Sequence, residues 1–107
     1  GQARALGLAL TGEPLTAERA EAWGVIWKCV DDDRLVGEAD ALALKFAAAP
    51  TKGLVATKKL IREGAARGLF EQLDAERDAQ RALGRTADYK EGVAAFTEKR
   101  APKFTGN

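Results

Sequence analysis

The sequence predicts an all-α chain of five or six short helices. Good helix formers dominate with Ala recurring throughout, apolar residues return at intervals of three and four, and Pro, Gly or a capping side chain stands at each junction. Only residues 25–30 have extended character, and nothing near them offers a sheet partner.

Residues 3–10 form a first helix, stopped by Thr11-Gly12 and the following Pro14. Thr16 caps a second over residues 17–23, with Glu18 in the turn where the helix dipole favours a carboxylate and Gly24 closing it. Residues 25–30 follow as a short strand or a buried linker. Asp31, Asp32 and Asp33 start a third helix, on which Leu35, Ala39, Leu42 and Phe46 recur at helical spacing. A helix start is the common role of such an acid run, and no second acidic cluster follows at metal-ligand spacing.

Pro50 ends that helix and introduces a fourth over residues 52–66, with Leu54, Lys58, Ile61 and Ala65 on one face. Lys52, Lys58, Lys59 and Arg62 make it basic, which reads either as a solvated surface or as an anion-facing one. A fifth helix spans residues 69–83, where Leu69, Leu73, Glu76, Gln80 and Leu83 form a stripe with two polar residues in its middle. Thr86 caps the last helix, expected over residues 87–100 with Tyr89, Val93 and Phe96 on one side, and Pro102 stops it. Residues 103–107 are a frayed tail unless Phe104 docks.

The composition excludes several function classes. Seventeen basic and sixteen acidic residues leave a net charge of +1, so there is no field to recruit nucleic acid or an anionic membrane. With no His and one Cys, a zinc site of common ligand type and a His-based triad are excluded. Cys29, flanked by apolar residues, reads as a small core thiol in a reducing, cytoplasmic setting. No stretch approaches the roughly 18 apolar residues of a membrane span, and the first residues do not read as a signal peptide. The first position is Gly and already reads as helix, so the sequence is expected to be a piece of a longer chain. Glu13, Glu18 and Glu21 sit on a cap and a short helix, where solvated carboxylates are the norm.

The order of segments is more specific than any spacing. Residues 9–17 (Ala-Leu-Thr-Gly-Glu-Pro-Leu-Thr-Ala) with Ala20-Glu21-Ala22-Trp23-Gly24-Val25, then Ala49-Pro50-Thr51 with Lys58, and finally residues 86–100 (Thr-Ala-Asp-Tyr-Lys-Glu-Gly-Val-Ala-Ala-Phe-Thr-Glu-Lys-Arg), resemble the closing segments of the crotonase family, the enoyl-CoA hydratases and isomerases. The resemblance covers nearly the whole chain in the right order. It implies the C-terminal helical domain of a ClpP/crotonase-like fold, occupying residues 1–107. The spiral catalytic core, with its oxyanion hole and carboxylates, would lie upstream. Donors aimed at an enolate oxygen are each worth ~2.7–4 kcal/mol in such chemistry. None falls in these residues, so no catalytic residue is assigned and the segment alone is expected to be inactive.

Two positions carry over from the family pattern as coenzyme A contacts, Phe96 to the adenine region and Lys99 to a phosphate. On pattern alone Phe96 reads as core and Lys99 as a solvated lysine. A spacing of three puts them on one helical face, and a phosphate near a helix C-terminus needs a fixed cation, here Lys99 supported by Arg100 and Lys103. The resemblance implies no prosthetic group, coenzyme A as part of the substrate, and self-assembly into trimers or hexamers. Within the family, the ending from Asp88-Tyr89 to Phe104 resembles bacterial members of phenylacetate breakdown, the ring-epoxide isomerase or its hydratase partner. A free-standing helical interaction module is the alternative reading.

Overall fold

The computed structural model describes all of residues 1–107 and contains six α-helices and no strand. It divides into two units, Gly1–Glu38 and Ala39–Asn107.

In the first unit, α1 (Gln2–Thr11) ends as the sequence predicts. Gly12 adopts φ 66°, which Gly tolerates without strain, and its N–H donates to the Leu8 carbonyl at 2.9 Å. The Thr16 hydroxyl accepts from Arg19 N–H at 3.3 Å and starts α2 (Ala17–Ala22). The guanidiniums of Arg4 and Arg19 both lie over the Trp23 ring, 5.0 and 4.7 Å from its centroid, so one indole ties α1 to α2.

Residues 25–30 are neither strand nor buried linker. Gly24 turns the chain at φ 72°, and the N–H groups of Val25 and Ile26 donate to the Ala20 carbonyl at 2.8 and 3.4 Å. Those donors are therefore spent on the end of α2, and Trp27 is left 77% exposed. Cys29 is only half-buried, so the core role expected of it does not hold. Helix α3 (Asp32–Ala47) begins on the acid run as expected, and Glu38 on it binds both Lys28 and Arg34 at 2.7 Å.

In the second unit, α4 (Thr51–Gly64) folds back on α5 (Leu69–Leu83) through a four-residue turn. The stripe residues Leu73, Glu76, Gln80 and Leu83 border one cleft with Leu60 and Ile61 of α4, although Leu69 and Leu73 stay exposed. Gln72, outside the stripe, ties the two helices through its amide. It donates to the Leu60 carbonyl at 3.4 Å and to Glu76 at 2.8 Å, and it accepts from Arg67 at 3.2 Å. Arg67 is in turn ion-paired to Glu63. Helix α6 (Ala87–Glu98) follows, capped by the Thr86 hydroxyl accepting from Tyr89 N–H at 3.1 Å.

Neither unit builds a core of large side chains. The buried apolar residues are Ala20 and Ala95, while Leu10, Phe70 and Phe96 are each more than 80% exposed. Successive helices thus leave large apolar side chains on the surface.

Candidate functional site

The site is built by α6 and by residues 103–107, the tail expected to fray unless Phe104 docks. Phe104 docks and the tail is held. Asp88, 4% exposed in the first turn of α6, accepts Thr105 N–H at 2.7 Å and Gly106 N–H at 2.9 Å, and its own N–H donates to the Asn107 carbonyl at 2.9 Å. A carboxylate at a helix N-terminus is favoured by the dipole, and here it also satisfies the returning strand of backbone. Gly106 sits at φ 82° against Thr51, where an added Cβ would stand 3.2 Å from the hydroxyl oxygen, so the tail reaches α4 as well. The Phe104 ring lies over Gly92, where an added Cβ would stand at an ordinary 3.7 Å from it.

A second lock closes the other end of the helix. Arg100 binds Glu91 through Nη1 to Oε1 at 2.6 Å and Nη2 to Oε2 at 2.9 Å, and its Nε donates to Glu98 at 2.5 Å. Lys103 N–H donates to the same Glu91 at 2.7 Å. These hydrogen bonds, from Arg100 first and then the Lys103 backbone, hold the Glu91 carboxyl down to about 2 from its ordinary 4.5, and the pairing pushes Arg100 up.

Between the two locks the helix stops two residues short of the expected Arg100. Lys99 takes the left-handed conformation at φ 55°, ψ 40°. Arg100 N–H donates to the Ala95 carbonyl at 3.0 Å and Lys99 N–H to that of Phe96 at 3.3 Å, the paired closure usually built on glycine. The register that would align Phe96 and Lys99 on one helical face therefore ends before Lys99. Phe96 is 88% exposed rather than core. It borders an open, mainly apolar cleft of about 420 Å³ with Leu83, Tyr89, Val93, Phe104 and Pro50. Lys99 lies outside that cleft, at the turn, with no ion pair. Arg100, expected to support it, is engaged by Glu91 and Glu98.

Nothing in the geometry joins a nucleophile to a base. Glu18 is held below the usual carboxylate range by its own backbone N–H and by the Thr16 hydroxyl, which suits a helix cap and not a proton donor. The Cys29 thiol is pushed up by desolvation and by Glu18, Glu21, Asp31 and Asp32, the reverse of what activates a nucleophilic cysteine. No three His, Cys, Asp or Glu side chains converge to hold a metal ion.

The arrangement of six helices and this closing segment matches known proteins along its entire length. Residues 1–107 fit the sequence profile described as enoyl-CoA hydratase/isomerase. The chain belongs to that family. The 1,2-epoxyphenylacetyl-CoA isomerase of Escherichia coli is 53% identical over 106 residues, covering 99% of this chain and 40% of that protein. The trans-2-decenoyl-acyl-carrier-protein isomerase of Streptococcus mutans is 38% identical over 106 residues, 99% of this chain and 40% of the relative. Among solved structures, the enoyl-CoA hydratase of Bacillus anthracis superposes with a TM-score of 0.89 at 31% identity, covering 97% of this chain and 40% of that one. The chain thus spans about 40% of the length of the relatives it matches. Its all-α architecture is that of the helical part of the enoyl-CoA hydratase/isomerase fold.

The two locks escaped the sequence reading. Asp88 to Thr105 and Glu91 to Arg100 are 17 and 9 residues apart, separations outside helical periodicity. The available signal was Lys99 in place of glycine at the end of a helix followed by Pro102, which marks a turn needing outside support.

Proposed function

We propose that this chain is the helical part of an acyl-CoA enzyme of the hydratase/isomerase type, acting in phenylacetate breakdown. In this reading it supplies no chemistry. It covers the acyl pocket and offers apolar helix faces to neighbouring subunits. It also presents Phe96 and Lys99 to the nucleotide of coenzyme A, while a catalytic part outside these residues holds the thioester. The phenylacetate assignment rests on the identity to the Escherichia coli isomerase.

One observation carries the binding role. An aromatic ring that is 88% exposed stands three residues from an ammonium group with no ion pair. A solvated phenylalanine of that exposure gains nothing from burial in this chain, and it supplies a face for a purine to stack on. A free ammonium at the carbonyl end of a helix supplies what a phosphate needs there, because the dipole alone repels an anion.

The test is a split in kinetic constants, made on the full-length gene product carrying these residues. Phe96→Ala and Lys99→Ala are expected to raise KM for an enoyl-CoA thioester, by about tenfold for the lysine, with kcat unchanged. The same substitutions should leave turnover of the N-acetylcysteamine thioester, which lacks the nucleotide, as it was. Equal effects on both substrates would remove the nucleotide role.

A further inference from the structure

We infer that Glu91 and Arg100 form a positioning pair that fixes the direction in which Lys99 leaves α6, and so sets affinity for the phosphate it meets. The inference rests on the reading of Lys99 given above and deepens it.

Three observations converge. Lys99 is the one residue other than glycine with positive φ, a conformation that L side chains avoid because Cβ crowds the following carbonyl. Strain of that kind persists only where the surroundings enforce it. The enforcing contacts are on both sides of the residue. Before it, the Ala95 and Phe96 carbonyls hold the turn through the backbone N–H groups of Arg100 and Lys99. After it, the planar guanidinium of Arg100 is gripped in two-point fashion by Glu91, nine residues back along the chain, and Glu91 also takes the Lys103 N–H. The fork geometry of guanidinium on carboxylate fixes orientation as well as distance. Residues 98–103 are thereby held as one closed turn, with the Lys99 side chain leaving it unpaired from the strained position.

A charge argument and a positioning argument make opposite forecasts for the same substitution. Glu91→Gln removes a negative charge close to the turn, so if only the local potential mattered it would tighten anion binding. If the carboxylate positions Lys99, losing the two-point grip frees the turn and weakens binding.

The experiment is a double-mutant cycle on the full-length protein, read as the dissociation constant of coenzyme A and as KM for its thioester. Glu91→Gln is expected to weaken coenzyme A binding by roughly fivefold in the wild-type background and to have no effect once Lys99→Ala is present. Arg100→Lys, which keeps the charge but loses the fork, should reproduce the loss, and it serves if Glu91→Gln does not fold. Tighter binding, unchanged binding, or an equal loss in both backgrounds overturns the positioning role. A Lys99→Ala variant that binds coenzyme A normally overturns the reading beneath it as well, so the two failures are told apart.

Discussion

Glu91 and Arg100 meet across the left-handed turn at Lys99 through two parallel hydrogen bonds of 2.6 and 2.9 Å. The residue they enclose, Lys99, carries an ammonium group paired to no carboxylate. Exposed ion pairs contribute little by themselves, with medians of about 0–1 kcal/mol, so the value of this one lies in the shape it enforces.

That carboxylate also dictates a response to acid. Glu91 is held at about 2 when folded against an ordinary 4.5, so it contributes stability above pH 4.5 that is lost as pH falls toward 2. Proteolytic release of residues 101–107 should therefore accelerate between pH 4.5 and 2, measured with an acid-active protease. Glu91→Gln should release the tail equally fast throughout that range.

Lys99→Gly is expected to separate stability from binding. Glycine adopts φ 55° without steric cost, so the substitution should raise unfolding free energy by about 1 kcal/mol in urea titrations. Coenzyme A affinity should fall at the same time. A variant that loses stability would show that the turn gains from its lysine stem.

Asp88→Ala removes the acceptor for two tail N–H groups and leaves a buried gap at the start of α6. A loss of about 2 kcal/mol is expected by urea denaturation. Asp88→Asn keeps one acceptor oxygen and should lose about half as much. Equal stability of wild type and Asp88→Ala would mean that Phe104 and the bonds of Lys103 and Asn107 hold the tail without this carboxylate.

Gly92→Ala should stabilise. The glycine lies inside α6 with ordinary negative φ, and a Cβ there meets only the Phe104 ring at 3.7 Å, a normal contact. Removing glycine from a helix interior is worth roughly 0.5–1 kcal/mol, readable as a higher Tm. A fall in Tm would show that the ring packs closer than its carbon positions indicate.

Residues 1–107 alone are expected to show no turnover of enoyl-CoA thioesters and to self-associate. Leu10, Phe70 and Phe96 are more than 80% exposed, and no large side chain is fully buried. Light scattering should report a mass that rises with concentration. A monodisperse monomer at high concentration would count against the idea that these faces seek partners.

What the sequence discloses is local and what it conceals is distant. Thr16, Thr86 and Gly12 act where short-range chemistry puts them, since a cap needs only the next three backbone N–H groups. The limits of α5 fall at Gly68 and Gly84, and its first turn is closed by Glu71 accepting the Gly68 N–H at 3.2 Å. Residues 25–30 misled because β-branched composition describes what a strand tolerates, while the nearby Ala20 carbonyl decided where their N–H groups went. The α5 stripe marks the face turned to α4, but periodicity is silent about Gln72, whose amide bonds the Leu60 carbonyl and Glu76. At the site, Phe96 and Lys99 were visible as residue types. The turn that parts them was not, because it depends on Glu91 and Asp88 receiving groups from beyond Pro102.

The indole shared by Arg4 and Arg19 has a practical consequence. Trp23 is partly shielded beneath two guanidiniums, whereas Trp27, four residues on, is 77% open to water. A neutral collisional quencher such as acrylamide will reach the second chromophore first. With Trp27→Phe in place, the remaining emission becomes an optical gauge of whether the first two helices stay joined.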